Sequence, residues 1–389
     1  MPGRVEFAGP RMTEPVLLIV EPWYTAVGHP AQSLLNTAKV LGRRQDVHYL
    51  VSSEDDSAEK FAALPALSAY GVVHAFRVPR PSLAVGTARA VIWLIRHARR
   101  WPRLRQVFFL DADLTVLAAA WPLLRFFLPQ LHLVSVLELG GPERRMRGFW
   151  RPAMIRRLVG SSTFRLFLRT EELADAWRKS VGIPHALQIG TLPSLEIADE
   201  EVPDCQPGAA GSLRVGVLGQ VRPGKGIDWL VPLFQGNPDL GLLEIAGTFF
   251  NDAQRAQLPG LQGFAGFHDS FMSDDELLQR AGALDYLLTL YDQWDSRFEA
   301  ATFYLAARAG RPVVCYDEGW CGRMVRQFGC GLAVPRAVRP DTGFFRALPR
   351  RDSAEYCSLV EGMRRFRKAH TGDARRSEFL EKLAGRTAA

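Results

Sequence analysis

The feature that most restricts this chain is an alternation that occurs twice. Short apolar or β-branched runs at Val16–Val20, Val47–Val51, Val72–Val78, Val107–Leu110 and Leu131–Leu137 are bounded by Gly, Pro, Asp or Ser, and stretches of helical period such as Ala31–Leu41 and Thr87–Trp101 lie between them. Strand, helix, strand in regular succession predicts a parallel sheet, because parallel neighbours need a long crossover and a helix supplies it. Phe164–Leu168, a helix at Glu171–Ser180 and a strand at Ala186–Ile189 extend this first unit. Glu196–Ser212 then turns acidic, rich in Pro and Gly and free of apolar period, which predicts a linker. Beyond it the alternation restarts with strands at Leu213–Leu218, Leu242–Ala246, Leu284–Leu290, Pro312–Tyr316 and Gly331–Val334, and with helices opening near Gly226, Ser273, Glu299 and Gly322. Ser273 with Glu276 is a capping box for the second of these helices. The expectation is an α/β chain of two doubly wound, Rossmann-like domains facing a cleft, residues 1–195 and 213–389, joined by the linker 196–212.

Composition matters chiefly for what it excludes. At 389 residues the chain exceeds what one core usually serves. Its longest uncharged apolar stretch, Leu114–Leu124, falls well short of the roughly 18 to 20 residues that span a bilayer. Val16–Val20 is too short for the roughly 7 to 15 residue core of a secretory signal, so export is not expected. The 5 cysteines include no Cys-x-x-Cys pair, which fits a reducing cytosol better than a disulfide framework or zinc knuckle.

The net charge of +7 is unevenly spread: Arg77–Arg105 holds 8 arginines and Arg144–Arg169 another 8, with no Asp or Glu in either window. The rest of the chain is therefore net acidic. Arg89, Arg96 and Arg100 fall on one helical face, and the second window interleaves Phe149, Trp150, Met154 and Ile155 with arginines, which is the composition of a segment lying in a membrane interface. A solvated basic face has the same composition. No recognition-helix, RNP or OB pattern accompanies the charge, so nucleic acid is not an expected partner.

The strongest local motif is Gly219-Gln220-Val221-Arg222-Pro223-Gly224-Lys225-Gly226, directly after the first strand of the second domain and opening a helix. Glycines let backbone N–H groups approach an anion, the helix start adds its positive end, and Arg222 and Lys225 bring two cations to the same rim. A diphosphate suits such a loop, although a glycine-rich turn with two solvated charges would look the same. Lys225 is not followed by Ser or Thr and no Gly-x-Gly-x-x-Gly occurs, so this is neither a Walker A loop nor a dinucleotide fingerprint.

Gly219–Leu230 resembles the loop that opens the C-terminal domain of glycosyltransferase family 4 and its GT-B relatives, in which the Arg and Lys hold the nucleotide diphosphate. Ala306-Ala307-Arg308-Ala309-Gly310-Arg311-Pro312-Val313-Val314 is similar to the small-residue helix end and Gly-x-Pro-Val-Val of that family. Tyr316–Gly322, which carries Glu318, and Gly329–Val334 follow the same order, and Gly28-His29-Pro30 before Leu34, Leu35 and Asn36 resembles the loop after the first strand. The resemblance covers nearly the whole chain, with specific motifs only in the second half. It implies a GT-B fold whose second domain binds a nucleotide sugar through Gly219, Arg222, Lys225, Gly226 and Glu318. The family's Glu-x7-Glu positions fall on Arg297 and Leu305, so neither carboxylate is retained. Glu299 could stand in for the first of them or merely stabilise a helix start, and Ala300, Ala301 and Thr302 would offer free N–H groups to an anion or ribose.

An acceptor hydroxyl needs a proton acceptor, and open α/β sheets present their sites at the carboxyl ends of strands. Asp111 and Asp113 after Val107–Leu110, and His29 after the first strand, are the candidates. Each could equally be a turn, cap or satisfied loop residue. Asp-Ala-Asp also has the form of a GT-A metal motif. The reading is a metal-independent, hexosyltransferase-like glycosyltransferase of envelope or exopolysaccharide synthesis, with a nucleotide sugar as co-substrate and no other cofactor. Its acceptor would be a glycan, lipid-linked, and it would sit in the cytoplasm against the anionic inner face of the membrane. Two alternatives remain: a non-catalytic GT-B binding or partner subunit, and a metal-dependent GT-A-like transferase using Asp111 and Asp113.

Overall fold

The computed structural model describes residues 14–23, 29–53, 64–78, 82–137, 141–182, 188–197, 211–249, 251–292 and 296–385. The chain divides into two compact units, residues 1–193 with 376–389, and residues 194–375.

The first unit holds a 7-stranded, wholly parallel sheet in the order β3-β2-β1-β4-β5-β6-β7. Its strands are β1 Leu17–Glu21, β2 Val47–Ser53, β3 Val72–Arg77, β4 Gln106–Phe109, β5 His132–Leu137, β6 Phe164–Leu168 and β7 Ile189–Thr191. The second unit holds a 6-stranded parallel sheet in the order β10-β9-β8-β11-β12-β13. These strands are β8 Arg214–Leu218, β9 Leu242–Ala246, β10 Phe267–His268, β11 Tyr286–Thr289, β12 Val313–Tyr316 and β13 Gly331–Val334. Every residue of β1, β11 and β12 is buried. Helices on both faces of a parallel sheet bury both sides of its strands, which is why these segments read as unbroken apolar runs.

Each sheet reverses its winding once, between β1 and β4 and between β8 and β11. The loops leaving those strands diverge to opposite faces and leave a crevice at the carboxyl ends, where ligands of doubly wound sheets bind. The first crevice is bordered by Glu21 and the segment around Asp111, the second by Gly219 and the pair Tyr291–Asp292.

Several expectations shift. The strand foreseen at Ala186–Ile189 is β7, at Ile189–Thr191, and residues 183–187 lie outside the described ones. The helix foreseen at Glu299 begins at Ala301, and the one foreseen at Gly322 begins at Gly319. The capping box at Ser273 is formed, with both reciprocal bonds present. Of the expected linker, residues 198–210 lie outside the described ones.

The largest difference is at the C-terminal side, which sequence assigned wholly to the second domain. The helix Gly372–Ala384 starts in the second unit and ends in the first. There Phe379 meets Phe108 edge-on at 6.1 Å, while Arg165 donates to the carbonyls of Lys382 (2.8 Å) and Leu383 (2.9 Å). The last carbonyls of a helix lack partners within it, and a guanidinium satisfies them while complementing the negative end of the dipole.

Candidate functional site

In the second unit, β8 ends at Leu218 and Gly219 turns the chain at φ 91°, its N–H still donating to the Ala246 carbonyl at 2.9 Å. Gly247 lies directly against this turn: a Cβ there would sit 1.8 Å from the Gly219 carbonyl oxygen, and its φ of 145° suits only glycine. The loop then runs through Arg222 and Lys225 to Gly226, whose φ of 74° starts the helix Ile227–Gln235 without a side-chain cap. The first amides of that helix are thus left for another acceptor.

Lys225 is the unusual member. It is 6% exposed, its Nζ lies 5.5 Å from the centroid of the Tyr291 ring, and no carboxylate is paired with it among the described residues. Burial, and then the neighbouring Arg222, push its pKa down to about 7. Burial also lowers that of Arg222. Two desolvated cations side by side repel each other, and an anion brought to them would relieve that repulsion. The loop is therefore more than a turn with solvated charges.

Tyr291 is held in place by its hydroxyl, which donates to Thr302 Oγ1 at 2.9 Å, while Thr302 Oγ1 donates to the Leu218 carbonyl at 3.4 Å. Thr302 thus ties the start of the helix Ala301–Ala309 to the ends of β8 and β11, so its side chain is engaged within the protein rather than offered to a ligand. The helix has no side-chain cap and Ala301 is exposed, so backbone N–H groups at Ala301 and Thr302 remain suited to an anion or ribose. Glu299 is half-buried near Tyr304 and Cys321: burial first and Glu299 second raise the pKa of both, Cys321 to about 12. Leu305, at the family's second carboxylate position, is buried in the core.

Glu318 pairs with Arg336, which also donates to the Asp292 carbonyl oxygen. The Asp292 carboxylate accepts from Trp229 Nε1 at 3.2 Å and from the Tyr316 hydroxyl at 2.7 Å. Trp229, Tyr291, Asp292 and Arg336 were not singled out in the sequence, and Tyr316 entered it only as a strand end and the start of a motif. The available signal was positional, since Tyr291 and Asp292 directly follow the strand that faces β8 across the winding reversal.

In the first unit, Asp111 and Asp113 part company. Asp113 caps the helix Leu114–Phe127, its Oδ1 accepting from the N–H groups of Thr115 (2.9 Å) and Val116 (3.1 Å). Asp111 accepts from the Ala112 N–H at 2.9 Å and lies 4.0 Å from Arg145 Nη2. Asp113 thus takes the capping role that the sequence also allowed, its Oδ1 serving helix N–H groups. Replacing it by alanine is expected to destabilise the protein by ~1 kcal/mol, read as a lower Cm in urea with m unchanged. Glu21, missed in the sequence, is a buried carboxylate at the end of β1 whose Oε1 accepts from the Trp23 N–H at 3.0 Å. His29 opens the helix His29–Leu41, and its side chain lies outside the described residues.

Two doubly wound parallel sheets in one chain make this the GT-B fold, which is not the GT-A layout; the reading of Asp111 and Asp113 as a GT-A metal motif is set aside with it. The chain is similar to HepE from Anabaena, solved with UDP, at a TM-score of 0.65 and 15% identity over 95% of this chain and 99% of that one. It is similar to WaaG, a glycosyltransferase involved in lipopolysaccharide biosynthesis, at a TM-score of 0.62 and 14% identity over 95% and 100% of the two chains. A UDP-N-acetylglucosamine 2-epimerase matches at a TM-score of 0.55 and 12% identity over 96% of each chain. No protein-family model and no curated protein matches the chain.

Proposed function

We propose that this protein is a glycosyltransferase that takes a sugar from a nucleotide sugar, with the nucleotide diphosphate held by the second unit. The observation that carries the proposal is the pair of desolvated cations, Arg222 and Lys225, at the carboxyl end of β8 with uncapped helix starts at Gly226 and Ala300. When the glycosidic bond to the diphosphate breaks, negative charge grows on the departing phosphate oxygen. Preorganised cations and N–H groups stabilise that charge more than the ground state, which lowers the barrier. Gly219 gives the diphosphate close access, and Glu299 and Glu318 lie at the starts of the two neighbouring helices as candidate donor contacts. HepE, solved with UDP and with UDP-glucose, supports a uridine nucleotide as the first to test.

Asp111 is the proposed general base for the acceptor hydroxyl, with Glu21 as a further candidate on the same crevice and His29 as a candidate from the sequence alone. We place no metal in the reaction, since the two cations supply the charge a divalent ion would contribute. The acceptor is a glycan, lipid-linked, in polysaccharide or envelope synthesis on the cytoplasmic side of the membrane. No helix among the described residues is long and apolar enough to cross a bilayer, and the attachment proposed is peripheral.

The epimerase match gives a second reading, inversion of one carbon centre in the sugar of a nucleotide sugar. Purified protein incubated with a panel of nucleotide sugars separates the readings. Release of nucleoside diphosphate that increases with added glycan acceptor and is lost in Arg222→Ala is the expected result. An epimerised nucleotide sugar would favour the second reading. Binding without any turnover would leave the partner-subunit alternative.

A further inference from the structure

The two arginine windows acquire a shape in the fold. The helices Leu83–His97, Leu114–Phe127 and Arg151–Val159 follow β3, β4 and β5, and right-handed crossovers set all three on one face of the sheet. They pack side by side, the first on the second and the second on the third. Leu94, Leu117, Trp121, Leu124, Ile155 and Leu158 point inward and are buried.

The outward sides are unlike an ordinary solvated face. On the first helix Arg89, Ile92, Arg96 and, just beyond its end, Arg99 and Arg100 are exposed at one-face spacing. On the middle helix the exposed row is Ala119, Pro122, Leu123 and Phe126, with Leu123 at 54% and Phe126 at 78% exposure. Into the third helix run Phe149 and Trp150, 85% and 72% exposed and packed edge-on against each other at 4.9 Å, followed by Arg151, Arg156 and Arg157. None of the three helices contains an Asp or Glu. Among the described residues, none of these arginines is paired with a carboxylate. The result is two exposed apolar clusters, Leu123 with Phe126 on the middle helix and Phe149 with Trp150 at the start of the third, among guanidinium groups that no carboxylate neutralises.

We propose that this outer face of the first unit is a docking surface for an anionic lipid bilayer, with Leu123, Phe126, Phe149 and Trp150 entering the interface and the flanking arginines at the level of the lipid phosphates. Charge complementarity selects the occupant. A second copy of this chain would set arginine against arginine, and a nucleic acid would meet exposed Leu and Phe where its phosphates need cations. A bilayer surface satisfies both parts at once, phosphates for the arginines and an acyl boundary for the apolar side chains. The surface deepens the acceptor side of the function proposed above, since a lipid-linked acceptor lies in that same interface. It fails separately from that function, because nucleotide binding is read on the other unit.

The test is co-sedimentation of the full chain with vesicles of phosphatidylcholine alone and of phosphatidylcholine with 30% phosphatidylglycerol. Binding only to the anionic vesicles is expected, reduced but not abolished by 0.5 M salt, with a blue shift of tryptophan emission that is lost in Trp150→Ser. Arg89→Gln, Arg96→Gln and Arg157→Gln should each weaken binding by about fivefold, and Phe126→Ser with Trp150→Ser should remove the salt-resistant part. All of these positions are exposed, so the UDP-induced rise in Tm should persist in every variant and certifies the fold. Absence of binding to anionic vesicles, binding unchanged in these variants, or tighter binding to a DNA or RNA oligonucleotide than to the vesicles would overturn the proposal.

Discussion

Replacing Lys225 by methionine is expected to raise the Tm of the ligand-free protein by several degrees while abolishing the further rise that UDP produces. Methionine fills a similar volume and carries no charge to desolvate. Each kcal/mol relieved corresponds to about 2–4 °C for a domain of 150–250 residues. The wild-type protein should instead be stabilised by UDP by about 2.7 kcal/mol at a hundredfold excess over Kd. The pH dependence has a definite sign. With a folded pKa of about 7 against an ordinary 10.5, the unfolded chain keeps a proton between those values that the empty folded protein has released. Stability therefore rises with pH across that window, and the penalty is greatest below pH 7. A bound diphosphate reverses the preference by favouring the charged lysine, so UDP binding takes up a proton and weakens as pH rises above 7. Calorimetry in buffers of different ionisation enthalpy reads that uptake directly. A Lys225→Met variant that binds UDP as tightly as wild type, or shows the same proton uptake, would sink the assignment.

Asp111→Asn is expected to lower kcat for sugar transfer by about 10² to 10⁴, the range in which general bases contribute, with the Kd for the nucleotide unchanged. Asparagine can accept the same hydrogen bond from the Ala112 N–H but cannot take up a proton. Asp113→Asn is the matched control: asparagine caps helices as well as aspartate does, so both activity and stability should hold. EDTA should leave turnover intact. If chelation removes donor binding, or if Asp113→Asn and Asp111→Asn fall together, the division of labour between the two carboxylates is wrong.

The parts legible in the sequence are those that local pattern decides. Strands buried on both faces appear as apolar runs, so the two parallel sheets could be read, and the glycines from Gly219 to Gly226 marked the turn that leads from β8 into the next helix. The parts that were not legible depend on contacts between distant segments. Phe267–His268 is too short to carry a period, yet it completes the second sheet beside β9. Asp111 and Asp113 are chemically alike, and only the helix that starts at Leu114 separates cap from candidate base. Thr302 was read from the expected helix start as a source of an N–H, whereas its hydroxyl joins Tyr291 to the end of β8. The arginine windows showed charge but not shape, because Leu123 and Phe126 come from the middle helix, which lies outside both windows and has a single arginine of its own.

The helix that crosses from one unit to the other sets an order on synthesis. Phe108, Gln106 and Arg165 in the first unit wait for Phe379, Lys382 and Leu383, which the ribosome supplies only after the whole second unit. During translation the unit made first is thus the last to be completed. Until residues 376–385 emerge, part of its apolar surface stays open to chaperones, and a chain cut at residue 195 keeps that surface for good.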